Sequence, residues 1–130
     1  MAAAGLHDPN ELSALVVDRA RDLLEADAAV LYWYSPETGM LATLAHNDPV
    51  DSTLEPPFRP GEGAAGLAFS TATPQSISAY EAWAGAIKGA VDRGIRSGLA
   101  VPLMVAEQPF GALGVFTRKR REWGRMTNRS

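Results

Sequence analysis

Between Asn10 and Ala26 the apolar residues Leu12, Leu15, Val16, Leu23 and Leu24 recur at helical spacing, with Asp18, Arg19, Arg21 and Asp22 on the other side. This pattern predicts an amphipathic helix whose leucine stripe faces a core. Asp8 or Asn10 can cap it, and Pro9 is tolerated in a first turn, where its missing N–H would have no helical partner anyway. The run Ala28 to Tyr34 is apolar and aromatic with no polar alternation. It predicts a strand covered on both faces. Ser35-Pro36-Glu37-Thr38-Gly39 follows as a turn, because Gly39 can take positive φ, and Met40 to His46 returns as the hairpin partner.

Asn47 to Pro60 reads as loop, since Pro49, Pro56, Pro57 and Pro60 break ladders and helices alike. Gly61 to Gly66 leads into a short helix over 67–72, which Thr73-Pro74 ends. Gln75 to Ser78 is a brief strand. Trp83, Ile87 and Val91 stand at i, i+4 and i+8, predicting a helix over 79–92 that Gly85 and Gly89 weaken and Gly94 closes from the C′ position. Ser97 to Ala106 and Pro109 to Thr117 form a second hairpin about a Glu107-Gln108 turn. Pro102 places its strand at an edge or a bulge. Helix, hairpin, helical middle and hairpin make an α+β domain with a largely antiparallel sheet.

Composition narrows this further. At 130 residues, 46% hydrophobic and 21% charged, the chain has the makeup of one globular domain rather than of a disordered, collagenous or coiled-coil segment. No apolar run approaches the roughly 18 residues of a membrane helix. The start lacks the basic and apolar regions of a signal peptide, so a cytoplasmic location is expected. The net charge of −3 is split: residues 1–117 carry −8 and residues 118–130 carry +5. An acidic body disfavours nucleic acid as partner. With no cysteine, disulfides, zinc fingers, iron–sulfur sites and thiol nucleophiles are excluded.

The candidate chemistry is sparse. Gly61, Gly63 and Gly66 match the dinucleotide fingerprint, but Pro56-Pro57-Phe58-Arg59-Pro60 precedes them where a buried strand is required. A tight start to a short helix is the expected role. His46 stands near Asp48 and Asp51, a poor metal or haem set, and reads as a strand-end histidine. Ser70, Ser97 and Glu62 have no G-x-S-x-G elbow and no neighbouring histidine. The run Arg118-Lys119-Arg120-Arg121 reads as a solvated terminus whose contact with nucleic acid would be weak and lost in moderate salt. Among the apolar residues, Tyr32, Trp33, Tyr34, Phe58, Trp83 and Met104 stand out. Trp33 points away from Tyr32 and Tyr34, so only one of these groups lines a pocket.

The chain resembles a GAF domain over roughly residues 10–123. The resemblance rests on an ordered set: Leu23-Leu24-Glu25-Ala26-Asp27-Ala28-Ala29, a first strand into Ser35-Pro36-Glu37-Thr38-Gly39, Gly61-Glu62-Gly63-Ala64-Ala65-Gly66-Leu67-Ala68, Thr73-Pro74-Gln75-Ser76-Ile77, Gly94 to Leu103 and Phe110 to Val115. It implies a GAF-like (profilin-like) antiparallel sheet with helices on both faces, a helical dimerisation layer on one side and a ligand pocket on the other. GAF domains serve as inputs to sensor histidine kinases, cyclases, phosphodiesterases and transcription regulators, and few are enzymes. Methionine sulfoxide reduction and covalent bilin binding need cysteine, and the cyclic-nucleotide signature is not visible. Family members close with a helix after the last strand. Here that helix is missing, which would leave an apolar patch and suggests a fragment.

The expectation is therefore a GAF-like domain over 10–117 between an N-terminal tail (1–9) and a basic tail (118–130). It is non-catalytic and binds a small molecule, with Tyr32, Tyr34, Phe58, Trp83, Leu99 and Val101 as pocket candidates. No metal, cofactor, nucleic acid or membrane is expected. A homodimer or an output module is the expected partner. The alternative is a purely structural dimerisation domain.

Overall fold

A computed structural model describes residues 9–48 and 56–123. Helix α1 (Pro9–Leu24) leads into the hairpin β1 (Ala28–Ser35) and β2 (Met40–Asn47). Helix α2 (Gly63–Thr71), strand β3 (Gln75–Ile77), a 3₁₀ turn (Tyr80–Ala82) and helix α3 (Lys88–Asp92) follow. The hairpin β4 (Ser97–Val105) and β5 (Gln108–Thr117) comes last. The five strands form one antiparallel sheet in the order β2-β1-β5-β4-β3. Strand β1 is thus interior, with α1 on one face and α2 on the other, which explains its lack of a polar face. Among the described residues no helix is long and apolar enough to cross a membrane.

Strand parity sorts the side chains into two cores. Tyr32, Leu41, Ala100, Ala112 and Phe116 meet Ala64, Ala65 and Ala68 of α2 and Tyr80 of the 3₁₀ turn. Ala29, Leu31, Leu99 and Val115 meet Val17 of α1 on the opposite face. Helix α2 is built of small residues on its buried side, so its axis lies close to the sheet; a Cβ on Gly66 would stand 2.9 Å from the Arg59 carbonyl oxygen. Pro102 pairs with Ala112, beyond the reach of β3, which spans only Gly98 to Ala100 on β4. Its missing N–H therefore faces an unpaired edge.

Four sequence expectations are corrected. The buried stripe of α1 is Ser13, Val17, Ala20 and Leu24, while Leu12, Leu15, Val16 and Leu23 are exposed. Small residues let the helix approach the sheet, and the larger leucines are turned outward. The predicted helix over 79–92 is only the 3₁₀ turn and the short α3. Trp83, Ile87 and Val91 do reach one core, but along an irregular path, where the ring of Trp83 lies over Gly85. The second hairpin turns at Ala106-Glu107, both at positive φ (51° and 67°), one residue earlier than expected. That pair of dihedrals matches the twist of a two-residue hairpin.

The fourth correction concerns the basic tail. Residues 118–123 pack on the domain, and Trp123 is fully buried in the α1-side core. The apolar surface expected to lie bare is covered there by one indole. Arg120 Nη2 lies 2.7 Å from Glu81 Oε2. Hydrogen bonding to Arg120 holds the Glu81 carboxyl below its ordinary value of 4.5. A carboxyl lowered on folding contributes stability above its unfolded value, and that contribution is lost as pH falls through the folded value. Stability measured by urea unfolding should therefore decline with pH below about 4.5 less steeply in Glu81→Gln than in the native chain. Identical slopes would show that the pair does not form. Asp8, the side chain of Asn10, Pro49, Asp51 and Met126 lie outside what the structure describes.

Candidate functional site

A hollow of about 50 Å³ lies between the sheet and the α2–α3 region. Its floor is Val30, Tyr32 and Phe116, which parity places on the α2 face of neighbouring strands. The Phe116 ring lies flat across Gly98 and Gly114, where added Cβ atoms would each stand 2.8 Å from it. Glycine at these places lets the ring lie low and leaves depth above it. Ala64 and Ala65 of α2 and Ile87 and Ala90 around α3 form the roof. Their short side chains keep the space open.

Tyr80 fixes the far wall. It is 1% exposed, and its hydroxyl accepts the Ile87 N–H at 3.0 Å. This bond pins the irregular chain before α3, where no helical partner exists. Phe58 reaches the hollow through a single bridge to Leu41 and packs edge-on against Tyr32, with centroids 5.0 Å apart. Polar groups gather at one end, where His46 of β2, Asp48 and Arg93 join the lining. His46 is exposed and marks the open side. Asp48 is paired with Arg118, whose Nη2 is 2.9 Å from its Oδ2.

The expected pocket residues separate. Tyr32 and Phe58 line the hollow. Tyr34 and Trp83 pack against the same core but stand back from the space. Tyr34 stacks on Phe69 at 4.7 Å, and Trp83 meets Tyr80 edge-on at 5.7 Å. Leu99 and Val101 are corrected: they pair with Val115 and Leu113 and share the α1 face. A period of 2 fixes this once β4 is in register with β5. Reading the sequence missed Val30, Tyr80, Ile87, Asp48, Arg93 and Phe116. Val30 was within reach, since it stands two residues from Tyr32 on one strand. Tyr80 and Arg93 carry no local signal.

The glycine fingerprint is committed to internal bonds. Gly61 N–H donates to the Gly66 carbonyl at 2.8 Å and Gly63 N–H to the Gly85 carbonyl at 2.9 Å. Gly63 also holds φ +70°, with the Ile87 side chain against it. These amides are not aimed at a phosphate. Among the described residues no group of three or more potential metal ligands comes together.

The family model of the GAF domain matches residues 7–126. The GAF domain of an Acinetobacter phosphoenolpyruvate-protein phosphotransferase is similar at 17% identity and TM-score 0.72, over 88% of this chain and 68% of that one. A Staphylococcus aureus NreA protein mutated in its nitrate binding site matches at 20% and 0.70, over 87% and 88%. A type II free methionine-R-sulfoxide reductase from Thermoplasma acidophilum matches at 14% and 0.74, over 92% and 84%. At such identities the likeness speaks to the fold alone. No curated protein sequence matches.

Proposed function

The chain belongs to the GAF domain family, and from that premise we propose that it is a non-catalytic regulatory module that takes a small molecule into the hollow beside β1. The observation that carries this reading is the hollow itself, apolar around Tyr32, Phe58 and Phe116 and polar at His46, Asp48 and Arg93. Tyr32, Tyr34, Phe58 and Trp83 remain the aromatic set around it, the first and third in contact and the others behind. Its 50 Å³ exceeds the roughly 10–15 Å³ that one water needs and falls far below the 300–1,000 Å³ of drug-sized sites. A ligand of few heavy atoms fits that space. The similar NreA protein has a nitrate binding site, and nitrate is a ligand of that small size.

The module acts in the cytoplasm as the input of a sensor kinase, a cyclase or phosphodiesterase, or a transcription regulator. It pairs with a second copy. Leu12, Leu15, Val16 and Leu23 support the pairing, since they leave an apolar stripe on the outer side of α1. The same stripe favours the second reading, a dimerisation domain without a ligand.

A thermal-shift panel of small inorganic anions, amino acids and aromatic acids separates the two. A true ligand at 100 times its Kd stabilises by about 2.7 kcal/mol. Ala65 is 3% exposed and faces the hollow. Ala65→Leu should fill the space and abolish the shift while changing stability by no more than about 1–3 kcal/mol. A flat response of the native chain to the whole panel would favour the structural reading.

A further inference from the structure

Asp48 lines the hollow, but its carboxylate is held by a residue that belongs elsewhere. Arg118 Nη2 lies 2.9 Å from Asp48 Oδ2 and Nη1 3.4 Å from Oδ1. The two side chains are 20% and 13% exposed. Arg118 is the first residue past β5, and its backbone N–H donates to Asp27 Oδ2 at 2.7 Å. Just before it, Thr117 Oγ1 donates to the Lys119 carbonyl at 2.5 Å, so the buried Ser97 hydroxyl must be the donor in its short bond to Thr117.

From this anchor the chain crosses the end of the sheet. Arg120 Nε donates to Glu81 Oε2 at 2.8 Å. Arg121 N–H donates to the Ser78 carbonyl at 3.2 Å, and its Nη1 to the Glu25 carbonyl, just past α1, at 3.1 Å. Its guanidinium sits 4.0 Å from the centroid of the Trp123 ring. Trp123 then enters the core under Val17. We propose that residues 118–123 are a strap that carries the state of the hollow to the α1 face, with the Asp48–Arg118 pair as its clasp.

The physics at each end supports a switch. A two-pronged guanidinium–carboxylate pair has strong geometry, and removing one partner takes away a largely buried, charge-assisted fork. A charged ligand group at the open end of the hollow competes for that pair. Swapping one carboxylate for another keeps the guanidinium paired, so the exchange is nearly balanced. At the other end, Trp123 Nε1 is buried and has no hydrogen-bond acceptor among the described residues. Its seat is therefore less favourable than apolar burial alone would make it, and leaving it restores a bond to water. Coupling of the two ends requires that a ligand at the hollow bind the docked and undocked arrangements of the strap with different affinity. Use of the strap as a signal output rests on the small-molecule reading above; the coupling itself does not.

The test uses the full chain without ligand. Trp33 and Trp83 are replaced by Phe, so that Trp123 is the sole tryptophan, and acrylamide quenching of its selectively excited emission is measured well below the unfolding transition. Asp48→Asn keeps the size and removes the charge. It should raise quenching of Trp123 severalfold, although Asp48 lines the opposite face. Thr43→Val alters the same hollow outside the strap's contacts and should leave quenching unchanged. An ion pair with only a structural role would lower the unfolding midpoint and leave Trp123 shielded. Unchanged quenching in Asp48→Asn therefore overturns the proposal. If that variant does not fold, Arg118→Lys decides in the same way, since it keeps the charge and loses the fork. The double variant Asp48→Asn/Arg118→Gln should match the Asp48→Asn single variant, and additive effects would overturn the clasp. A flat ligand panel leaves these readouts untouched, so the two failures are distinguishable.

Discussion

Trp123→Ala should cost the domain about 3–5 kcal/mol, enough to remove a large share of the stability of a chain this size. The indole is fully buried in the core formed with Val17, Ala26, Ala29, Leu31, Leu99 and Val115. Urea unfolding should show a lower midpoint with an unchanged slope, the mark of altered stability rather than an altered unfolded state. Trp123→Phe separates volume from polarity. It keeps most of the apolar bulk and removes an Nε1–H that has no acceptor among the described residues, so its loss should be much smaller. If alanine left the midpoint where it was, residues 118–123 would not be part of the folded domain.

Tyr80→Ala should lose a comparable ~3–5 kcal/mol. Tyr80 is 1% exposed, meets Trp83 edge-on and forms a wall of the hollow. Its hydroxyl also accepts the Ile87 N–H. Tyr80→Phe removes that acceptor and leaves a partly buried amide unsatisfied, at about 1–3 kcal/mol. Hydrogen exchange should locate the difference: in Tyr80→Phe the Ile87 amide exchanges faster while the sheet amides stay protected. Equal protection at Ile87 would mean that another acceptor takes its place and that Tyr80 contributes bulk alone.

How far each element could be read in advance follows from the range of the forces that set it. Both hairpins were legible because strand composition and turn residues act over a few neighbours: Gly39, at φ +72°, closes the first as expected. Cover on both faces of β1 was legible from its unbroken apolar run, although Trp33 near its end is exposed. The stripe of α1 was misread because its apolar residues cover two adjacent faces, and spacing cannot say which one meets the sheet. The 79–92 segment was misread because Trp83, Ile87 and Val91 have the right spacing, while Gly85 and Gly89 withdraw the local preference that would hold a helix. Tyr32 and Phe58 were identifiable as aromatic residues near the hollow. Leu99 and Val101 were not separable from the opposite face until register was known.

The sequence by itself determined the strands, their hairpin pairing, the glycine-punctuated middle, the membership in the GAF family and the absence of cysteine chemistry. These depend on local dihedral preference, on side-chain period and on residue identity. The tertiary structure alone decided which face of β4 looks into the hollow, which stripe of α1 is buried and where Trp123 goes. It alone brought Asp48 to Arg118, 70 residues apart. Contacts of that range are fixed by the register of one element on another, and local preference carries no information about it.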